Sequence, residues 1–387
     1  MKKIFKPACQ LLGVVLAASL IAGCGGGDSK NIKIGGVFEM SGNTAAYGTA
    51  ASNGMKLAFK EINAKGGVLG KQLEAVYADN KGEPSESANA TTKVITQDKV
   101  PAIIGFTTSS NGIAGATVAE ASKIPMLQVT TTNPKVTVDE KTGKVRDNVF
   151  RVCFIDPFQG TVAANFATKT LKVTKVATLV DNSSDYSKGL TQFFVEAFTK
   201  AGGTIVSQEA YLQKDQDFKA ILTKIKAANP EMIYVPGYYD EVGKIIKQAR
   251  ELGITAPFVG GDGWDSPKLF DIAGAAALNN TFFTNHYSPE DKDPRVTAFV
   301  EAYKKEYGVV PEANAALAYD AAYLMADAIK RAGSAEPAKI REALAATKGF
   351  AGVTGTATLN ATHDAVKNAV IIELKDGKQI FKETVQP

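Results

Sequence analysis

Cysteine and histidine are scarce in this 387-residue chain, which has three cysteines and two histidines. Zinc and similar metals are usually held by three or four thiolate and imidazole ligands, so the sequence argues against such a site. The serine-nucleophile elbow, the phosphate-binding loop and the zinc-protease motif are also missing. A serine–histidine pair would have to recruit His286 or His363, and we expect His363 to be a surface-loop residue. We therefore do not expect an enzyme or a bound cofactor.

The sequence also has little net charge and no apolar run of membrane-spanning length. Residues 1–23 are predicted to be a secretory leader, because three lysines precede an apolar run at 11–21 that is too short to span a bilayer comfortably. Removing Lys2, Lys3 and Lys6 with the leader lowers the formal net charge from +4 to +1. Such a chain offers no electrostatic field for nucleic acid.

The end of the leader, Ala22-Gly23-Cys24, resembles the lipobox of bacterial lipoproteins. The resemblance implies that Cys24 is lipidated and becomes the mature N-terminus, with residues 24–31 as a flexible tether. An ordinary signal peptide with an incidental cysteine is the alternative. Lipidation would place the protein outside the cytoplasm on a membrane surface. It would also leave Cys153 as the single free thiol, so no disulfide is expected within one mature chain.

Short apolar runs alternate with helical patterns in two successive series, which is typical of α/β proteins. The 364 residues from Cys24 onward are too many for one ordinary core, so two doubly wound lobes with mostly parallel sheets are predicted. The first series predicts strands at 32–38, 73–78, 102–105 and 125–129, and the second at 176–180, 204–206, 232–235 and 258–259. Helices are predicted around 55–62, 193–198, 218–228, 242–252, 295–307, 313–332 and 337–346.

We expect the chain to pass between the two lobes three times. The first passage follows the strand-like residues 149–152, and the second lies near 281–286, where the alternation gives way to helices. Residues 370–374 and 379–385 predict a hairpin that packs on the second lobe. The predicted N-terminal lobe is therefore 32–153 with 285–366, and the predicted C-terminal lobe is 154–284 with 367–387.

The stretch from Phe38 to Gly67 resembles the first strand, loop and helix of the leucine/isoleucine/valine-binding proteins of branched-chain amino acid ABC transporters. It contains Met40-Ser41-Gly42, Ala46-Tyr47-Gly48 and the segment 61–67. Further matches follow in order at 104–105 with 109–110, 125–126 with 130–132, 181–189, 237–238 with 248–250, and 260–263. The resemblance covers essentially the whole mature chain. It implies a type I periplasmic binding protein fold, an amino-acid ligand and an ABC permease as partner, and we expect a monomer.

Polar residues follow two predicted strands at the edge of the sheet where α/β proteins place ligands. Ser109 and Ser110 precede a helical pattern, so hydroxyls and free N–H groups could receive a carboxylate there, although plain N-capping would explain them too. Thr130 and Thr132 follow the next strand and could share that anion, unless they form only a polar turn. The resemblance implies that Ser109, Thr130 and Thr132 bind the ligand.

Asp262 lies in Gly-Gly-Asp-Gly after a predicted strand, where glycines let the backbone approach a ligand closely. Such an aspartate is often only a turn former. The resemblance implies instead that it pairs with the ligand's ammonium group, with a shorter arm than the glutamate that relatives carry.

Three tyrosines fall where the resemblance implies an aromatic cleft lining: Tyr47, Tyr186 and Tyr238. Tyrosine combines an apolar face with a polar tip, which suits an amino acid, but each could also be a half-buried surface residue. Trp264 could wall the side-chain pocket or belong to the core.

The sequence departs from the resemblance at two places. The ends of a disulfide found in relatives would fall near Lys81 and at Thr108, and neither is cysteine. An aromatic residue that closes the side-chain pocket in some relatives would fall near Asn314, so the pocket is expected to be more polar or differently shaped. A branched-chain amino acid is the expected ligand. The alternatives are another amino acid, an amide, urea or an aromatic acid on the same scaffold, or a sensory binding protein.

Overall fold

The computed structural model describes residues 31–387, so the predicted leader, the Cys24 anchor and residues 24–30 of the tether lie outside the described residues. Within this range the chain forms two large sheets and one small one. The first sheet is entirely parallel, with the order β2-β1-β3-β4-β5. Its strands are β1 (Asn31–Phe38), β2 (Gln72–Asp79), β3 (Ile103–Gly105), β4 (Met126–Gln128) and β5 (Val149–Arg151).

The second sheet has seven strands in the order β15-β14-β10-β9-β8-β6-β7. Its strands are β6 (Lys175–Asp181), β7 (Thr204–Tyr211), β8 (Met232–Tyr234), β9 (Phe258–Gly260), β10 (Thr281–Asn285), β14 (Ala369–Lys375) and β15 (Lys378–Val385). Strands β6 to β10 pair in parallel, whereas β14 pairs antiparallel with both β10 and β15. The last two strands form the predicted hairpin.

The third sheet is a small antiparallel one, with β11 (Phe350–Gly352), β12 (Gly355–Leu359) and β13 (Ala365–Val366). Helices connect the strands and cover the sheets. The α-helices in residues 31–387 are α1 (Ala45–Ala64), α2 (Pro84–Thr96), α3 (Ser109–Ser122), α4 (Asp156–Asn165), α5 (Asp185–Lys200), α6 (Lys219–Ala227), α7 (Tyr239–Glu251), α8 (Pro267–Ala273), α9 (Pro294–Tyr307), α10 (Ala313–Ala332) and α11 (Pro337–Ala345). In the same range, none of the helices combines the length and the apolar character that crossing a bilayer requires.

Helix α1 shows how the sequence produces this packing. Met55, Phe59 and Ile62 recur at helical spacing and are buried against the first sheet and α10. The helix packs tightly on α10 because Gly54 has no side chain: a Cβ there would lie 2.1 Å from the carbonyl oxygen of Ala315. It ends before Gly67, whose φ of +74° favours glycine.

Each large sheet has its own apolar core. The first core joins β1, β3, β4 and β5 to α1, α10 and α11, and the second joins β6, β8, β9, β10 and β14 to α4, α5 and α7. The predicted α/β fold with two largely parallel sheets is thus confirmed. The sequence did not predict β10 as a sheet strand, the small third sheet, or α4, whose last turn continues as a π-helix at Phe166–Thr170.

Candidate functional site

A cavity lies where loops that follow strands of the two large sheets meet, and its free volume is about 10 Å³. That is room for about one water molecule, so the side chains of its walls lie close together in this structure. Six of the eight predicted ligand-binding residues line it. The lining residues are Tyr47, Thr107, Ser109, Thr130, Tyr186, Tyr238, Asp262, Gly263, His286, Ala313 and Asn314.

Asp262 forms the acidic part of the cavity wall, directly after β9. Its side chain is 7 % exposed and is surrounded by donors. Oδ1 accepts hydrogen bonds from Gln159 Nε2 at 2.8 Å and from the Tyr186 hydroxyl at 2.9 Å. Oδ2 lies 3.0 Å from His286 Nε2. These neighbours hold the carboxylate in one orientation, so a cationic group entering the cavity would meet a fixed negative charge.

His286 follows β10 and is fully buried. Its ring stacks on Phe154 with 3.8 Å between centroids. Burial lowers the pKa of the His286 imidazole, and the adjacent Asp262 carboxylate opposes that shift. The imidazole is therefore neutral at pH 7, and its Nε2–H donates to Asp262.

Hydroxyl groups from the first sheet form the opposite wall. Ser109 begins α3, so its side chain lies beside the free N–H groups of the first helical turn. The Thr130 hydroxyl donates to Asn314 Oδ1 at 2.6 Å. The hydroxyl of Ser109 accepts from the N–H of Asn133 at 3.3 Å, so its own hydrogen can be donated to a carboxylate.

Glu39 supports that wall from behind. It follows β1, is completely buried, and accepts hydrogen bonds from the loop between β3 and α3. The Thr107 N–H and hydroxyl lie 3.0 and 2.5 Å from Oε2, and Thr108 and Asn111 donate to Oε1 at 3.0 and 3.1 Å. A buried carboxylate with this many donors fixes the loop that presents Ser109.

Aromatic rings close the remaining side of the cavity. Tyr186 and Tyr238 stack with 5.4 Å between centroids and 11° between planes, and Tyr47 contacts Tyr238 edge to face at 5.9 Å. Burial raises the pKa of all three phenols well above the usual value, so they remain neutral donors. The rings exclude water and supply an apolar surface.

Tyr47 also joins the two halves of the molecule. Its hydroxyl donates to the carbonyl oxygen of Gly263 and accepts from the N–H of Tyr239 at 3.2 Å. Farther along the same boundary, Ser110 donates to Asp185 at 2.9 Å. Loops that follow the two sheets are thus in direct contact, and the cavity is enclosed between them.

Two predicted ligand-binding residues, Thr132 and Trp264, do not line this cavity. The Thr132 hydroxyl lies beside the buried carboxyl of Asp156 instead. Trp264 is 1 % exposed, and its indole N–H donates to the carbonyl oxygen of Val235 at 3.0 Å. A Cβ on Gly260 would lie 2.1 Å from the indole, so the ring packs under β9 as part of the core.

His363 lies in a loop, as expected. This residue is half-buried, and its ring stacks on Phe150 with 4.2 Å between centroids. Its Nδ1 lies 3.1 Å from the carbonyl oxygens of Arg146 and Val149. It therefore fastens its loop to β5, which a polar sequence environment did not indicate.

The buried site residues that were not predicted include Glu39, Gln159 and His286. Glu39 and His286 each come directly after a strand, at the carboxyl end where ligands bind, and that position was the available signal. Gln159 lies within α4, which the sequence did not clearly indicate. Asn314, predicted to shape the pocket, does line the cavity.

Comparison with known protein families places this arrangement among solute receptors. The sequence model of the family described as periplasmic binding protein matches residues 31–379. The Leu/Ile/Val-binding protein BraC3 of Rhizobium johnstonii is 34% identical over 335 residues, which are 86% of this chain and 89% of that protein.

Solved structures of similar proteins support the same family assignment. A leucine-binding protein, LivK, of Thermotoga maritima superposes with a TM-score of 0.87 at 40% identity, over 92% of this chain and 99% of that one. The branched-chain amino acid transporter substrate-binding protein LivJ of Streptococcus pneumoniae, solved with isoleucine, also has a TM-score of 0.87 and 40% identity, over 92% of this chain and 100% of that one. The architecture is the type I periplasmic binding protein fold.

Proposed function

The chain belongs to the periplasmic binding protein family, and we propose that it is an extracytoplasmic receptor that binds an α-amino acid and delivers it to an ABC importer. One observation carries the proposal: Asp262, the hydroxyls of Ser109 and Thr130, and the N-terminus of α3 line one cavity. An amino acid carries an ammonium and a carboxylate on one carbon. The two walls match those two charges.

The proposed roles divide the lining residues by chemistry. Asp262 accepts from the ligand's ammonium, and Ser109 with Thr130 and the first turn of α3 donates to its carboxylate. Tyr47, Tyr186 and Tyr238 cover the ligand. Because Thr132 and Trp264 lie outside the cavity, we propose supporting roles for both: Thr132 beside the Asp156 carboxyl, and Trp264 beneath the loop that carries Asp262.

A branched-chain amino acid is the ligand we propose. Relatives named for leucine, isoleucine and valine binding support this choice, as does the isoleucine in one matching structure. Among residues 31–387, no lysine or arginine and no acid other than Asp262 lines the cavity, and the His286 imidazole is already hydrogen-bonded to Asp262. A charged ligand side chain would therefore have no partner there. Asn314 at the cavity wall could widen the range toward small polar amino acids, as in the Pseudomonas aeruginosa relative named also for threonine and alanine binding.

We propose that residues 32–153 with 285–366 and residues 154–284 with 367–387 move as two lobes. The sheet assignments support these bounds, since β1 to β5 lie in one sheet and β6 to β10 with β14 and β15 in the other. The chain passes between the sheets after β5, after β10 and before β14. A ligand that contacts both lobes favours the closed state, because it makes all its contacts only there.

We further propose that the mature chain is a monomer anchored to the membrane through lipid on Cys24, a residue outside the described range. The support is the lipobox-like Ala22-Gly23-Cys24 and the glycine-rich tether. An anchored receptor remains near a permease that takes up the released ligand.

The proposed function is tested by calorimetric titration of ligand-stripped protein against the twenty amino acids, urea, short amides and benzoate. We expect leucine, isoleucine and valine to bind within a few orders of magnitude of one another, because one methylene is worth only about 1–3 kcal/mol in an apolar pocket. Charged amino acids should bind much more weakly. Tight binding of a non-zwitterionic solute, with none of any branched-chain amino acid, would refute the ligand class and leave the receptor fold standing.

A further inference from the structure

His286 occupies an unusual position for a titratable group in a receptor cavity. It lines the cavity, it is fully buried, and it follows β10 at a point where the chain leaves the second sheet. Its Nε2 lies 3.0 Å from Asp262 Oδ2, whereas its Nδ1 has no hydrogen-bond partner among residues 31–387.

The hydrogen bonds of Asp262 determine where an ammonium group can be received. An ionised carboxylate has about four acceptor positions, two on each oxygen. Gln159 and Tyr186 occupy both positions on Oδ1, and His286 occupies one on Oδ2. The remaining position is on Oδ2, the oxygen that His286 already contacts. A ligand ammonium and the imidazole would therefore share one oxygen atom.

The charge of the imidazole then affects the ligand directly. A neutral ring donates Nε2–H to Oδ2 and adds no charge beside the ammonium. A protonated ring would place a second cation on the same oxygen, and it would bury an Nδ1–H donor without an acceptor. Like charges in a desolvated site repel strongly. We propose that His286 is a positioning residue for the ammonium site and restricts amino-acid binding to the pH range in which its imidazole is neutral.

Neighbouring charges agree with a neutral ring in the closed protein. Burial and Lys367, from the segment before β14, lower the pKa of His286, while Asp262 and Asp265 raise it; the net shift is downward. Asp156, from the start of α4, interacts electrostatically with Asp262, and burial raises the pKa of Asp156 to about 8. Ligand binding would lower the His286 pKa further, and by linkage acidification would weaken binding.

The inference rests on the proposed amino-acid ligand and is tested with isoleucine, whose ammonium and carboxylate both stay charged between pH 5 and pH 8. Calorimetry should show affinity that weakens as the pH is lowered from 7.5 to 5, by about tenfold for each pH unit below the pKa of a group that must be neutral. His286→Gln keeps an amide N–H that can donate to Oδ2 but does not titrate. Its affinity should change less than threefold over this range.

His363→Gln is the matched control, since it removes the other histidine, which stacks on Phe150 away from the cavity. This variant should keep the wild-type pH profile. Ionisation of Asp156 is common to all three proteins, so it does not distort the comparison. Parallel profiles for wild type and His286→Gln would overturn the inference and leave the proposed function intact. Failure of the wild-type protein to bind isoleucine at any pH would refute both the inference and the proposed function.

A second measurement does not depend on the folding of a variant. Because the chain has two histidines, imidazole NMR signals of ring-labelled, untagged protein resolve both titrations. Saturating isoleucine should lower the titration midpoint of His286, by about one pH unit for each tenfold by which protonation weakens binding. An unchanged or raised midpoint of His286 would overturn the inference.

Discussion

Truncation of Asp262 to alanine tests the central contact of the proposed site. The carboxylate is nearly buried and accepts from Gln159, Tyr186 and His286, so its removal leaves three donors without an acceptor and the ligand ammonium without a counter-charge. Removing one partner of a desolvated charge pair costs about 2–5 kcal/mol. At about 1.4 kcal/mol per factor of ten, the dissociation constant for isoleucine should rise roughly 30- to 5,000-fold.

The assay is calorimetric titration of ligand-stripped protein with isoleucine, together with thermal unfolding of the same sample. Asp262→Asn keeps the side-chain volume but not the charge, so it should also lose most of the affinity while unfolding nearer to the wild-type temperature. Asp271→Ala is the matched control. That aspartate is exposed in α8 and pairs with Lys268 at 3.1 Å, so its loss should change affinity less than about twofold.

The result that refutes this reasoning is a loss of less than about fivefold for Asp262→Ala in a protein that still folds. Asp262 would then be a turn residue that organises the loop after β9. The ammonium site would then have to lie elsewhere, and the proposal that the ligand is an amino acid would have to be revised.

Four further outcomes are expected. Tyr47→Phe removes two hydrogen bonds between the halves of the molecule, worth about 1 kcal/mol each, and should weaken isoleucine binding roughly 5- to 100-fold in calorimetry. Asp364→Asn breaks the buried ion pair with Arg151 and should lower the free energy of unfolding in urea by about 3–5 kcal/mol. Asp156 keeps its proton up to pH about 8 in the folded protein but only to pH about 4 when unfolded, so stability falls as pH rises between these values. Asp156→Asn should remove the part of that fall that Asp156 causes, as unfolding at pH 5 and pH 8 would show. Cys24→Ala should release the protein from membranes in fractionation without changing ligand affinity.

Much of the fold was predictable because its signals are local. Strands such as β1 and β6 are short apolar runs bounded by turn residues, and α1 carries buried residues at helical spacing before a glycine stop. The hairpin of β14 and β15 was predictable from its turn sequence, Lys375-Asp376-Gly377-Lys378. The small sheet of β11 to β13 was missed, because two- and three-residue strands are too short to show a period.

The candidate site, too, was predictable only where its signals are local. Six residues of the cavity wall were predicted from their place after strands or from the resemblance. The buried supports were not predicted. Glu39 and Gln159 act through partners 68 to 103 positions away in sequence, a separation that no local pattern encodes.

By itself, the sequence determined the α/β class, the two successive series of strands and helices, and the polar strand ends that could receive a ligand, because periodicity and turn chemistry depend on near neighbours. Only the tertiary structure decided which polar ends meet. It placed His286 within hydrogen-bond distance of Asp262 and packed Trp264 into the core. Those contacts depend on how residues that are distant in sequence approach each other in the folded chain. Burial then decided which of these groups are charged, since the pKa of a side chain depends on the solvent and partners that folding leaves around it.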